Sequence, residues 1–349
     1  MDARAMTLRE ARGNAHESTS LARTALVVWR SLRPEFWLVC IFPMYMGYVI
    51  AARQPFPDVA LWQAVWTQAL TTGVDLGVVA AATGRWFAGQ YAFVFAILCM
   101  GPLIWGSTLL FNDVCDLAAD VSNPRRSETP LVRALLSPRT AMRLSVALAI
   151  AGLALAALIS PVFLALMAAC LALSWAYSSP PLRLKGRAGF DLLVNVFGIG
   201  VLCTLAGWSL AAPLEAFPFP YLLQPILLLA SAYVPTTMVD EPFDREYGFD
   251  TIAVRLGIVR AWWLGLAFVL AANALYALTA WFDYVVTWRV FEVTWPLVVL
   301  ETVAYAVGFY PWNGRLPTRR AFVAIAAAGI PFGLGQAIFI AHYTGALLL

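Results

Sequence analysis

The chain has 349 residues, of which 61% are apolar and 12% charged, with a formal net charge of +3 and a mean hydropathy of +0.75. A soluble domain carries about twice that charged fraction, so most of this chain must be buried in lipid. A soluble globular enzyme, a disordered chain and a nucleic-acid-binding module are excluded. The small net charge names no partner, but the placement of the charges is informative.

Residues 1–30 mix Asp2, Arg4, Arg9, Glu10 and Arg12 without an apolar core, so they read as a cytoplasmic tail rather than a signal peptide. A helix needs about 20 apolar residues to cross the hydrocarbon core. The first span predicted on that basis is 36–52. Segment 53–90 then combines Trp62 and Trp66 with scattered polar residues. It reads as an extended non-cytoplasmic linker with an interfacial helix, because Trp prefers the headgroup level; a tenth, weakly hydrophobic span is the alternative. Further spans follow at 91–111, 142–159, 161–178, 190–211, 221–239, 261–282, 290–310 and 321–342. Ser160-Pro161 separates the third and fourth as a tight hairpin or, alternatively, a kink in one buried segment. The expected fold is all-α: a polytopic membrane protein of nine transmembrane helices forming one domain over 31–349.

Nine spans put the N-terminal tail on the same side as the loops after spans 2, 4, 6 and 8. Of the 23 Lys and Arg residues, only Arg53, Arg85 and Arg289 then fall on the other side. The positive-inside rule makes the charged side cytoplasmic, with a bacterial inner membrane the expected location. The five cysteines, Cys40, Cys99, Cys115, Cys170 and Cys203, fit no zinc spacing and read as small buried residues. His16 and His342 are the only histidines, which argues against a histidine-dependent mechanism.

The acids gather on the charged side. After span 2 the sequence reads Asn112-Asp113-Val114-Cys115-Asp116-Leu117-Ala118-Ala119-Asp120. If span 2 continues as a helix, the three aspartates share one face, with Asn112 at its border. After span 6, Asp240 and Asp244 are four apart and also share a face, unless Pro242 breaks the helix. Like charges at these spacings need neutralising by a divalent metal, arginine or water. Carboxylates without histidine or thiolate select a hard cation, and Mg²⁺ suits one or two carboxylates plus phosphate oxygens. Arg125 and Arg126 follow the first cluster, Arg245 adjoins Asp244, and the single lysine, Lys185, ends the loop after span 4. Two carboxylate clusters with such cations nearby make a diphosphate clamp, able to stabilise the charge that develops as diphosphate leaves.

On these motifs the sequence resembles the UbiA superfamily of membrane prenyltransferases, from about Arg33 to the C-terminus. The first family motif stands as Asn112-Asp113-x-x-Asp116-x-x-x-Asp120. The second stands as Asp240-x-x-x-Asp244, with Gly248-x-x-Thr251 and Leu256-Gly257, and a Tyr-Ser-x-Pro-Pro-x-x-x-Lys loop runs from Tyr177 to Lys185. The resemblance implies a central cavity open laterally to lipid, two Mg²⁺ ions, an isoprenyl diphosphate donor and a lipophilic acceptor. It assigns Asp113, Asp116 and Asp120 to one metal, with Asn112 assisting, and Asp240 and Asp244 to the other. Lys185, Arg125 and Arg126 would face the diphosphate, and Tyr177 would line the cavity near the reactive carbon. One departure is Thr129, which precedes Pro130 where many members carry arginine. Features of chlorophyll-synthase-like and carotenoid-elongating branches coexist, so the acceptor stays open among aromatic, quinone-precursor, chlorin and carotenoid compounds. A terpene cyclase on the same fold is the nearest alternative. A transporter is disfavoured, because transporter sites lie near the bilayer midplane and these carboxylates lie at span ends.

Overall fold

The computed structural model describes residues 21–347. The charged residues within 1–20, and His16, lie outside them. Residues 21–31, expected within the tail, instead form helix α1 (Leu21–Ser31). After a turn at Pro34–Phe36 comes α2 (Leu38–Ala52). Segment 53–90, expected to hold one interfacial helix, holds α3 (Val59–Thr72) and most of α4 (Leu76–Leu98). The α4 helix is continuous, through a π-helical segment at Cys99–Trp105, with α5 (Gly106–Asp120). Asp75 caps α4 by accepting from the Gly77 amide at 2.7 Å, as a short acceptor at an N-cap does.

The stretch Leu76–Asp120 counts 45 residues. A straight helix of that length would reach about 67 Å, twice the hydrocarbon thickness. Gln90 leaves helical geometry (φ −122°, ψ 22°) and divides it. The portion before Gln90 pairs with α3, where Trp86 donates to the Pro57 carbonyl at 2.7 Å and meets Trp62 edge-on at 6.2 Å.

The chain continues with α6 (Pro138–Ile159) and α7 (Pro161–Ser178). Ser160 sits in extended conformation between them and accepts from the Phe163 amide, so the Ser160-Pro161 pair is a hairpin. The fifth span is composite: α8 (Phe190–Asn195), a π-helical segment at Val196–Leu202 and α9 (Cys203–Trp208). Then follow α10 (Leu223–Glu246), short α11 (Ile252–Leu256), α12 (Ile258–Trp281), α13 (Trp288–Gly308) and α14 (Thr318–Tyr343). Helix α10 runs on through Pro235 and Pro242, so Pro242 does not separate Asp240 from Asp244.

Among the described residues, eight helices are long and apolar enough to cross a membrane, and α1 with α2, bent by 52° at their junction, forms a possible ninth. The protein is an integral multi-pass membrane protein with an all-helical fold. Cys40, Cys99 and Cys203 are buried, and all five cysteines are free thiols. Hydroxyls join the spans where lipid offers no partner: Ser107 donates to the Ser145 carbonyl and Ser145 to that of Ser107, at 2.8 and 2.9 Å.

Candidate active site

Both acidic motifs, and the loop between spans 4 and 5, meet at one end of the bundle. Asp113, Asp116 and Asp120 lie in the last two turns of α5, and Asp240 and Asp244 in the last two turns of α10. Arg125, from the loop after α5, is ion-paired with Asp240 on α10. The Tyr247 hydroxyl donates to the Ala118 carbonyl at 3.1 Å and bonds the Ser122 hydroxyl at 2.5 Å. The loop after α7 completes the closure, with the Asp250 amide donating to the Gly186 carbonyl at 3.1 Å.

Basic side chains occupy the space between the acids. Lys185 is an ion-pair partner of Asp116 and donates to Asn112 Oδ1 at 2.8 Å. Ser178 donates to that same oxygen at 2.9 Å, so Asn112 positions the lysine rather than facing outward. Burial pushes the Lys185 ammonium below its ordinary pKa, against the upward pull of Asp116. Asp113, whose side chain is 6% exposed, faces Arg33 at 3.5 Å and Arg126 at 3.9 Å. Arg126 also reaches Asp120 at 3.7 Å. Asp244 accepts from Thr251 at 3.0 Å. The Gly248-x-x-Thr251 spacing thereby acquires a reason. Gly248 and Gly257, at φ +73° and +80°, make the left-handed turns on either side of Thr251 that glycine adopts without strain.

Arg245 is the sequence-predicted residue that is not brought to this site. It pairs with Glu241 one turn back along α10, and its side chain is 61% exposed. Tyr177, expected to line the cavity, instead turns its hydroxyl to that of Tyr233 at 3.1 Å and is not among the residues lining the cavity described below.

Several participants carry no motif of their own. Arg183 bonds Asp116 at 3.1 Å and lies over the Phe249 ring at 4.9 Å. Its backbone is left-handed (φ 38°), a conformation that costs energy in a non-glycine residue and clusters at functional sites. Arg33 is left-handed too (φ 50°). Both had only the appearance of topology-setting charges. Asp191 is fully buried at the start of α8 and accepts from the Gly189 amide at 2.8 Å and the Ile252 amide at 3.0 Å. It ties the loop after α7 to α11, and hence to the second motif. Replacing Asp191 with Ala leaves two amides without acceptors and should cost about 2–4 kcal/mol. A drop in the thermal midpoint in detergent, smaller for Asp191→Asn, checks this.

The donor set suits a hard divalent cation: five carboxylates, no histidine, no thiolate. Among the described residues no three acids converge as a preformed cage. Mg²⁺ requires no such cage, because it takes one or two carboxylates and leaves other positions to water and phosphate oxygens.

Within the bundle, a cavity of about 390 Å³ lies between α2, α10, α12, α13 and α14, lined by Leu38, Phe42, Leu228, Tyr305, Phe309 and Phe332 among others and by none of the motif acids. Its rim residues Leu38, Val39 and Ile325 are exposed on the outer surface, so it opens sideways between the first and last long helices. Phe42 and Phe332 meet edge-on across that seam at 6.0 Å.

The fold and site define a polytopic helical membrane protein with an acid- and arginine-lined cleft at one end and an apolar cavity open to lipid. The model of the UbiA prenyltransferase family matches residues 73–322, and the chain belongs to that family of membrane prenyltransferases. Solved structures share the fold. A UbiA homologue from Archaeoglobus fulgidus bound to GPP and Mg²⁺ aligns with 22% identity and a TM-score of 0.63, covering 90% of this chain and 99% of that one. The apo structure of a homologue from Aeropyrum pernix K1 aligns with 21% identity and a TM-score of 0.60, covering 86% and 97%. A structure concerning digeranylgeranylglyceryl phosphate synthase aligns with 14% identity and a TM-score of 0.58, covering 92% and 99%. A comparison with curated proteins gave no match.

Proposed function

We propose that the chain transfers an isoprenyl group from a prenyl diphosphate to a lipophilic acceptor within the membrane. The observation that carries this reading is the contact of Arg125 with Asp240, together with Lys185 and Arg183 on Asp116. It makes the two distant acidic motifs walls of one cleft, lined with the cations a diphosphate needs. The Archaeoglobus homologue has structures with GPP and with DMAPP, each with Mg²⁺, which supports the same donor class and metal here.

In this reading two Mg²⁺ ions would be held, one by carboxylates drawn from Asp113, Asp116 and Asp120, the other by Asp240 and Asp244, with water and phosphate oxygens as the remaining ligands. Bound there, the metal would supply positive charge to the diphosphate and so ease departure of the leaving group. Lys185, Arg125, Arg126 and Arg183 turn from their carboxylates to the phosphate oxygens and stabilise the negative charge that grows there as the C1–O bond breaks. The electron pair leaves with diphosphate. The allylic carbon, positive and shielded from water by the apolar cavity, bonds to an electron-rich carbon or oxygen of the acceptor, which then loses a proton. The charged loops face the cytoplasm, where a soluble diphosphate would enter.

Purified protein supplied with geranyl diphosphate and membrane-lipid extract should form a prenylated product with Mg²⁺ and none after chelation, with activity returning on Mg²⁺ addition. Lys185→Gln should lower the rate about a hundredfold. A cyclic hydrocarbon from donor alone would overturn the transferase reading in favour of a cyclase, and metal-independent turnover would overturn both.

A further inference from the structure

Deep in the bundle, away from the acidic cleft, the apolar cavity has a polar end. Glu301 on α13, Gln224 on α10 and Gln336 on α14 line both the main cavity and a small adjoining one. Neighbouring polar groups in the same layer are satisfied: Asn273 bonds Thr302 at 2.8 Å, Tyr276 bonds Thr294 at 2.8 Å, and Tyr305 donates to the Ser231 carbonyl at 2.9 Å. Two of the three at the cavity differ. Glu301 makes no hydrogen bond or ion pair with any described residue, and Gln224 Oε1 is buried without a partner. An acid inside a membrane span is costly and marks a functional position. An unpaired buried amide oxygen costs about 1–3 kcal/mol. A cavity built only for a hydrocarbon chain would gain by having Leu at these places.

The cluster is not part of the diphosphate cleft. Gln224 and Asp240 are sixteen residues apart on α10, about 24 Å along the helix axis. A ligand that touches both ends is therefore long as well as apolar.

We propose that this end of the cavity recognises the lipophilic acceptor through a hydroxyl or carbonyl group remote from its reacting atom, held by Glu301, Gln224 and Gln336. The inference rests on the transfer reading above and adds a feature of the acceptor: an oxygen function at the far end from the carbon or oxygen that is prenylated. Glu301 is a specificity-determining residue here, too distant from the cleft to touch the reacting atoms.

The test uses 1-octadecanol and octadecane, neither an analogue of the donor, with inorganic pyrophosphate and Mg²⁺ present to fill the cleft, on the full-length protein in one detergent. Affinities come from the ligand-dependent shift of the thermal midpoint. Wild type should prefer the alcohol about tenfold. Glu301→Leu should abolish the preference, while Glu301→Gln, which still hydrogen-bonds, should keep most of it. Geranyl diphosphate with Mg²⁺ should bind wild type and Glu301→Leu equally. An alcohol preference that survives Glu301→Leu, or none in wild type, overturns the inference while donor binding stands. Failure of wild type to bind geranyl diphosphate with Mg²⁺ would overturn the transfer reading and this inference with it.

Discussion

Asp116→Ala and Asp240→Ala should each abolish prenyl transfer, by at least about a thousandfold, while the protein still inserts and purifies. The two residues sit on different helices but in one electrostatic assembly. Asp116 bonds both Lys185 and Arg183, and Asp240 bonds Arg125. Removing Asp116 deletes a metal-binding carboxylate and leaves two cations unpaired, one of them the Lys185 side chain, only 10% exposed. Losing one member of a buried pair is expensive, about 3–5 kcal/mol. Here Asn112 still accepts from Lys185 at 2.8 Å, and Arg183 keeps the Phe249 ring, so folding survives the change. Asp116→Asn separates the roles: it preserves an acceptor for Lys185 but not the negative charge. The expected results are a thermal midpoint close to wild type for Asn, a lower one for Ala, and no turnover from either at any Mg²⁺ concentration. Near-normal activity of both Asp116→Ala and Asp240→Ala would end the metal-clamp reading.

The parts of this molecule visible in its sequence are those where one physical constraint dominates. Lipid demands long apolar runs, so the spans from α6 onward stand close to their predicted places. The 3.6-residue period puts Asp113, Asp116 and Asp120 on one face as soon as α5 continues past the apolar run, which it does to Asp120. Segment 53–90 was harder. Trp62 and Trp66 mark an interface, but the mixed Thr, Gln and Ala of α3 and α4 carry neither a clear hydrophobic period nor a continuous apolar run, and the Gln90 kink that ends the outer part of α4 is announced only by Gly89, one of three glycines in that helix. Arg33 and Arg183 look like every other charge of the positive side. Only the chain reversal that brings them over Asp113 and Asp116 distinguishes them. Asp191 is a lone acid whose partners are backbone amides, one of them 61 residues away, so no side-chain pattern could name it. Arg245 fails for the opposite reason. Adjacent residues on a helix point about 100° apart, so its place beside Asp244 directs it to Glu241.

Gly207→Ala should be among the most destabilising single-methyl additions in the chain. A Cβ at Gly207 would stand 1.6 Å from the Met44 carbonyl oxygen, and one at Gly47 would stand 2.0 Å from that of Thr204. Helices α2 and α9 thus touch backbone to backbone, as small residues permit in membranes, where dispersion contacts rather than hydrophobic burial hold helices together. The obstacle is main chain, so no rotamer change relieves it and the helices must part. Overpacking typically costs about 1–3 kcal/mol and sometimes more, and a backbone clash at both ends of one crossing belongs at or above the top of that range. The damage would reach the site, because α2 carries Leu38, Phe42 and Met46 of the cavity wall. Gly333, on α14, has no atom within 4 Å of its Cβ position, and Gly333→Ala is the matched control. Thermal midpoints in one detergent should fall by several degrees for Gly207→Ala and hold or rise for Gly333→Ala, since alanine is the better helix former. Equal midpoints for the two variants would show that α2 and α9 do not pack at this distance.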